Sequence, residues 1–201
     1  MIGGTHGKLL HVDLTAGQIQ VASVPDEVYR LLAGGRALVA YLLLRHLPPG
    51  ADPLGPDNLL IFAPGVMQGS NFPGAGRHGV GGKSPLTGGL GSSEAGGWWG
   101  HEFKRTGYDA LVIRGRAPAP VYLWIHDGEV EVRPAGHLWG LTTGPAQVAI
   151  RQELAGVLGG GGERVRVAQI GPAGENGVRY AAVTHDVNRA AGRNGLGAVM
   201  G

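Results

Sequence analysis

The chain of 201 residues contains no cysteine, which removes disulfides, thiol nucleophiles, zinc thiolates and iron–sulfur ligation from anything it does alone. Charge is also scarce: Asp, Glu, Lys and Arg make up 16% of residues and the formal net charge is +2. The basic residues are spread along the sequence, with no dense Lys/Arg run interleaved with aromatics, so nucleic acid is not an expected partner. Long hydrophobic runs are missing as well. The longest plainly apolar stretch, Ala37 to Leu44, is far too short to span a bilayer. The opening Met1 to Lys8 lacks the pattern of a signal peptide, and the expected location is cytoplasmic with no membrane partner.

What is abundant is glycine. The 39 glycines are well over twice the usual share of about 7%. They are neither periodic nor gathered in one polar tract, and they punctuate apolar segments, which implies many tight turns and close backbone approaches. With 43% hydrophobic residues the chain can bury a sizeable core, as one large domain or two small ones.

One glycine-rich phrase occurs twice. Ala75-Gly76-Arg77-His78-Gly79-Val80-Gly81 returns as Ala191-Gly192-Arg193-Asn194-Gly195-Leu196-Gly197, identical at five positions. Each copy sets a permanent guanidinium beside backbone amides that glycine leaves approachable, which suits a phosphate or another oxyanion. The surroundings repeat too. In the first half a hairpin is predicted from Leu9 to Val24 around Gly17, followed by a helical stretch from Pro25 to His46 interrupted at Gly34-Gly35. A short buried strand, Leu59 to Ala63, then leads to the first phrase. The stretch Ala37 to Leu44 is apolar nearly all round and is expected to be buried. In the second half the hairpin runs from Val121 to Val132 around Asp127-Gly128, the helix from Ala146 to about Leu158 behind Pro145, and the strand from Val165 to Ile170. Another strand, Ala110 to Arg114, closes an insert in the first half. The reading is an α+β fold with internal duplication. Its two pseudo-two-fold halves, at about 7–115 and 119–201, are each hairpin-helix-strand, with the two arginine loops facing each other. Chance likeness of glycine-rich loops is the alternative.

Other candidate sites have blander readings beside them. His78 to Ser84 approaches a Walker A sequence, but Arg77 stands where that motif requires glycine and Pro85 blocks the helix start, so it is rejected. Gly195-Leu196-Gly197 fails as a dinucleotide fingerprint, because its third glycine is misplaced. Arg189 lies four residues before Arg193, so in a helix the two would share a face, unless Asp186 simply pairs with one of them on the surface. Trp98 and Trp99 are expected to pack in the core, His101 and Glu102 have no geometry that makes them an acid–base pair, and the eight histidines show no metal-ligand spacing.

Four segments carry a family likeness: Gly107 to Val112, Lys83 to Gly88, Ile170 to Asn176 and Arg189 to Arg193. Together they resemble the N-terminal domain of the tungsten-containing aldehyde:ferredoxin oxidoreductases, over nearly the whole chain. The resemblance implies a tungsten (or molybdenum) bis-molybdopterin, with magnesium joining the two phosphates, lying on a base of β-sheets. It implies cofactor contacts at Arg77, Gly96, Arg189, Ala190, Gly192 and Arg193, and magnesium contacts through the backbone carbonyls of Glu94 and Ala190. Many relatives carry Asn-Ser where this chain has Glu94-Ala95, and a carboxylate there repels phosphate unless it turns away or holds a cation. The family's 4Fe–4S cluster needs cysteines from further C-terminal domains or a separate cluster-bearing subunit. The implied reaction turns an aldehyde and water into a carboxylic acid, with electrons leaving to ferredoxin. The alternative is a non-catalytic pterin-binding or assembly subunit, and association into a homodimer is open.

Overall fold

The computed structural model describes residues 3–201. Alternating apolar positions produce strand β1 (Lys8–Asp13), and a turn with Gly17 at φ 63° returns the chain as β2 (Gln18–Ser23). Helix α1 (Asp26–Leu32) starts behind Pro25 with Asp26 and Glu27 in its first turn, where carboxylates complement the helix dipole. Gly34 breaks the path, and α2 (Gly35–His46) follows. Strand β3 (Leu59–Pro64) is buried at every position, as a strand covered on both faces must be. Next come β4 (His78–Lys83), β5 (Leu90–Ala95), α3 (Trp99–Arg105) and β6 (Ala110–Arg114). These strands form a six-stranded sheet in the order β2-β1-β6-β3-β4-β5, antiparallel except where β6 runs parallel to β1.

Alternation sorts the sheet's side chains between two cores. Leu9, Leu59, Ile61 and Val112 meet Leu38, Val39, Leu42 and Leu43 of α2 on one face. Leu10, Leu60, Phe62, Val80 and Leu111 meet Phe103, Val183, Ala191 and Leu196 on the other. Only one stripe of α2 is inside. Leu44, expected to be buried, points outward with 83% of its surface exposed, because a helix lying on a sheet covers one side only.

The remaining chain is smaller in scale. Strands β7 (Val121–His126) and β8 (Glu129–Pro134) make a separate hairpin, with Asp127 and Gly128 both at positive φ as a two-residue turn requires. Helix α4 (Thr143–Val157) joins it through a third core of Trp124, Leu138, Ile150, Leu154 and Val167. The strand expected over Val165 to Ile170 shrinks to β9 (Ala168–Gln169). It pairs with β10 (Val183–His185), which pairs in turn with β11 (Arg189–Ala191). Short helices α5 (Pro172–Glu175) and α6 (Leu196–Met200) complete the fold.

The fold is therefore mixed α and β. The order hairpin, helix, strand is present in both halves, but the first hairpin extends a six-stranded sheet whereas the second stands apart.

Candidate functional site: two arginine segments on one edge strand

Strand β5 is the edge of the large sheet, and both copies of the repeated phrase come to it. On its inner side β4 pairs with it, opposing Gly79 to Glu94 and His78 to Ala95. On its outer side lies β11 and the second phrase. There the Arg193 amide donates to Ser93 Oγ at 3.3 Å and Asn194 Nδ2 donates to the Ser92 carbonyl at 2.8 Å. Past the strand's end, the stem of Arg189 lies over Gly97, with Cγ 3.1 Å from where a Cβ would stand. Gly96 is near the other loop, with the Gly76 carbonyl 4.0 Å from its own Cβ position. Arg77, Gly96, Arg189 and Arg193 are thus brought to β5 or its end, with Ala190 and Gly192 adjoining them in the chain.

The two copies nevertheless differ in conformation. Arg77 precedes strand β4, whereas Arg193 follows strand β11 and precedes α6. Most of their glycines serve close packing. Gly81 lies against the Val39 side chain of α2, and a Cβ there would overlap it. Gly195, at φ 68°, lies against the Arg179 carbonyl in the same way. Within the two phrases only Gly76 and Gly192 face open space, with nothing within 4 Å of the position a Cβ would take. Within the repeated phrase, open backbone is therefore found at these two glycines, each directly before its arginine.

Charge at the site is exposed. The Arg77 guanidinium lies 3.7 Å from the Glu94 carboxylate, with side-chain exposures of 77% and 37%. A pair this open is worth at most about 1 kcal/mol, so either partner can be recruited by a ligand. The Glu94 carboxylate is balanced locally by Arg77 beside it. Arg189 and Arg193 are exposed too.

The segment 185–193 is a hairpin and not a helix. Asp186 and Val187 adopt positive φ of 46° and 67°, which turns the chain back on itself. Asp186 pairs with neither Arg189 nor Arg193. Its carboxylate accepts from the Val167 amide at 3.2 Å and lies 3.7 Å from Arg151, which braces the turn.

Other sequence expectations divide. Trp99 is a packing residue, stacked on Phe103 at 5.2 Å and against Phe62 and His78. Trp98 is not; it is 58% exposed and faces a shallow depression shared with Phe72, His101 and Arg105. His101 Nδ1 accepts from the Gly69 amide while Glu102 pairs with Arg105, so the two do not act on each other. Lys83 Nζ is held by the Ala51 carbonyl and Ser84 Oγ by the Asn194 carbonyl, so the Walker-like stretch supports turns. Among the described residues one trio, His126, Glu129 and Glu131, brings metal-capable atoms together, but Arg133 already occupies Glu131 at 2.9 Å.

Two features had no signal in the sequence. Asp109, wholly buried, collects the amides of His6, Gly7 and Lys8 on one oxygen and the Lys104 ammonium on the other. His78 and His185 meet in the core with their Nε2 atoms 3.0 Å apart. Burial first, then the His185 and His101 charges, hold His78 well below the usual imidazole range. Burial alone pushes His185 down to about 4.

The family model for the aldehyde ferredoxin oxidoreductase N-terminal domain matches residues 9–201. The chain belongs to the aldehyde ferredoxin oxidoreductase family. It is 44% identical over 198 residues to the tungsten-containing aldehyde ferredoxin oxidoreductases of Pyrococcus furiosus and Thermococcus kodakarensis, covering 98% of this chain and 32% of each relative. A second Pyrococcus furiosus protein, the aliphatic sulfonate oxidoreductase, WOR-like subunit, is 36% identical over 209 residues with the same coverages. Among solved structures, the active-site complex BamBC of benzoyl coenzyme A reductase with 1,5-dienoyl-CoA superposes with a TM-score of 0.94 at 39% identity. That likeness covers all of this chain and 30% of the other. The aldehyde ferredoxin oxidoreductase N-terminal domain described here thus spans about a third of the length of the curated relatives it matches. No helix among its described residues is long and apolar enough to cross a membrane.

Proposed function

We propose that this chain forms one wall of the metallopterin site in an aldehyde:ferredoxin-type oxidoreductase. The observation that carries the reading is the gathering of Arg77, Arg189 and Arg193 with Gly96 at β5 or its end, with Gly192 adjoining, in a chain of this family. Three exposed guanidiniums beside open glycine backbone suit the phosphates and polar ring edges of two molybdopterins. The backbone carbonyls of Glu94 and Ala190, on neighbouring strands, are the proposed contacts for a magnesium ion between those phosphates. The repeated phrase and repeated element order support reading about 7–115 and 119–201 as related halves, one for each pterin.

When bound, a tungsten (or molybdenum) centre of this kind supplies the two-electron oxidation of an aldehyde and water to a carboxylic acid. The chain's own contribution is to bind and orient. Arg77 exchanges part of its interaction with Glu94 for the anion, and Gly96 keeps the floor low enough for a flat ring system to approach. Relatives named for aldehydes, for aliphatic sulfonates and for glyceraldehyde-3-phosphate share this domain, which supports giving it cofactor retention and not substrate choice. Without cysteine, the ligands of a 4Fe–4S cluster and the electron exit to ferredoxin belong to polypeptide outside this chain.

The test is a double substitution, Arg77→Ala with Arg193→Ala, in the enzyme that contains this chain. Folding stays intact by circular dichroism while tungsten and pterin per protein fall to background. Unchanged metal and pterin content refutes the assignment.

A further inference from the structure

The His78–His185 contact is the feature that the site reading leaves unused. His78 follows Arg77 directly and begins β4 of the large sheet; His185 ends β10 of the small one and sits opposite Arg189 in the β10–β11 register. Their 3.0 Å contact is therefore a bond between the two arginine-bearing segments, made underneath the surface where the guanidiniums emerge. The rings are enclosed by Phe62 and Trp99, and both residues are at most 1% exposed.

Packing does not account for this pair. An apolar ring fills such a box without losing water from a polar group, whereas a buried imidazole must recover that loss through hydrogen bonds. Neither Nδ1 has a partner, so each ring's hydrogen bonding is confined to the other ring. An Nε2–Nε2 bond also has strict requirements. One ring must carry a proton on Nε2 and the other must present a lone pair there, so the two rings cannot both be protonated at that contact and their separation is held to hydrogen-bond length. Gln68 and Gly100 close the corner beside His78, with Gln68 Nε2 and His78 Nδ1 at 2.5 and 2.7 Å from the position of a Gly100 Cβ, so the His78 ring packs directly against the Gly100 backbone. On the far side His185 joins a turn carrying the positive φ of Val187, a conformation that β-branched residues adopt only when their surroundings impose it.

We propose that His78 and His185 are positioning residues whose mutual hydrogen bond fixes the spacing between the Arg77 loop and the Arg189 hairpin, and so the grip of both on one anionic cofactor. This rests on the metallopterin reading. The bond itself is tested without cofactor, in the isolated chain labelled with 15N-histidine. At neutral pH a scalar coupling across the hydrogen bond joins the two Nε2 nuclei, and His185→Leu shifts the backbone resonances of Ala75 to Arg77. In the complete enzyme, His78→Leu or His185→Leu lowers retained pterin at least tenfold after dialysis. The pair His78→Gln with His185→Gln, which keeps an amide-to-amide bond, restores it. Should the leucine variants unfold, His185→Asn, too short to reach His78, gives the same loss. Absence of the coupling, or broken-bond variants that load like wild type, overturns the positioning role alone. A wild-type enzyme free of pterin overturns the cofactor reading and the positioning role with it.

Discussion

Asp109→Asn is expected to destabilise the fold far more than a single-atom change suggests. Asp109 is 0% exposed and its Lys104 partner 5%, so neither charge can turn to water. One carboxylate oxygen accepts from the amides of His6, Gly7 and Lys8 at 2.9, 2.7 and 3.4 Å, which ties the entry to β1 onto the start of β6. The other oxygen meets the Lys104 ammonium from α3. Asparagine can keep the carbonyl toward the three amides, but its NH2 then faces the ammonium and two donors oppose each other. Breaking a buried ion pair from one side costs about 3–5 kcal/mol, because the remaining charge is stranded. The retained amide bonds put the expectation at the low end, about 3 kcal/mol, out of a total of about 5–15 kcal/mol for a typical domain. Urea unfolding should show a lower midpoint with an unchanged slope, and the melting temperature should fall by about 6–12 °C. Adding Lys104→Met removes the stranded charge and should return at least about 1 kcal/mol. A loss below about 1 kcal/mol in the single variant, or strict additivity in the double one, refutes the argument.

Four further outcomes follow from the same structure. Gly81→Ala forces a methyl into the Val39 side chain of α2 and should cost about 1–3 kcal/mol in a thermal melt. Gly76→Ala, its control, meets nothing and should leave the melt within about 0.5 kcal/mol of wild type. The buried histidines make stability fall with acid: the unfolded chain takes up protons below pH 6.5 that folded His185 refuses until about pH 4. Over that window His185 subtracts about 1.4 kcal/mol per pH unit, and His185→Gln should flatten the slope of denaturant midpoint against pH accordingly. Val187→Gly relieves the left-handed strain at the β10–β11 turn and should raise the midpoint, by about 1 kcal/mol in unfolding measurements. Trp99→Ala should lose about 3–5 kcal/mol while Trp98→Ala, on the exposed side, loses almost none.

Local chemistry was legible for most elements, to within about three residues at their ends. The hairpins around Gly17 and Asp127-Gly128, the α1–α2 break at Gly34 and the buried β3 follow from turn residues and periodicity, which act within a few positions. Helix α4, by contrast, starts at Thr143, three residues before the expected Ala146, with Pro145 inside its first turn. Readings failed where one stretch had two local solutions. The segment 185–193 carries helical spacing, but the brace on Asp186 from Val167 and Arg151 holds it as a hairpin, and those partners are distant in the chain. Trp98 and Trp99 are chemically equal in sequence; the direction of α3 alone sends one inward and the other out. The glycines of the repeated phrase were legible as close approaches, but not as approaches to what.

The sequence by itself determined the family, the mixed α and β character, and the two arginine-bearing phrases, because these depend on residue identity and short-range order. Only the tertiary structure decided that both phrases border β5, that Gly81 yields to a helix while Gly76 stays open, and that His78 reaches His185. These are meetings between segments more than a hundred residues apart or on different elements, set by how two cores pack against one sheet, and no spacing along the chain encodes them.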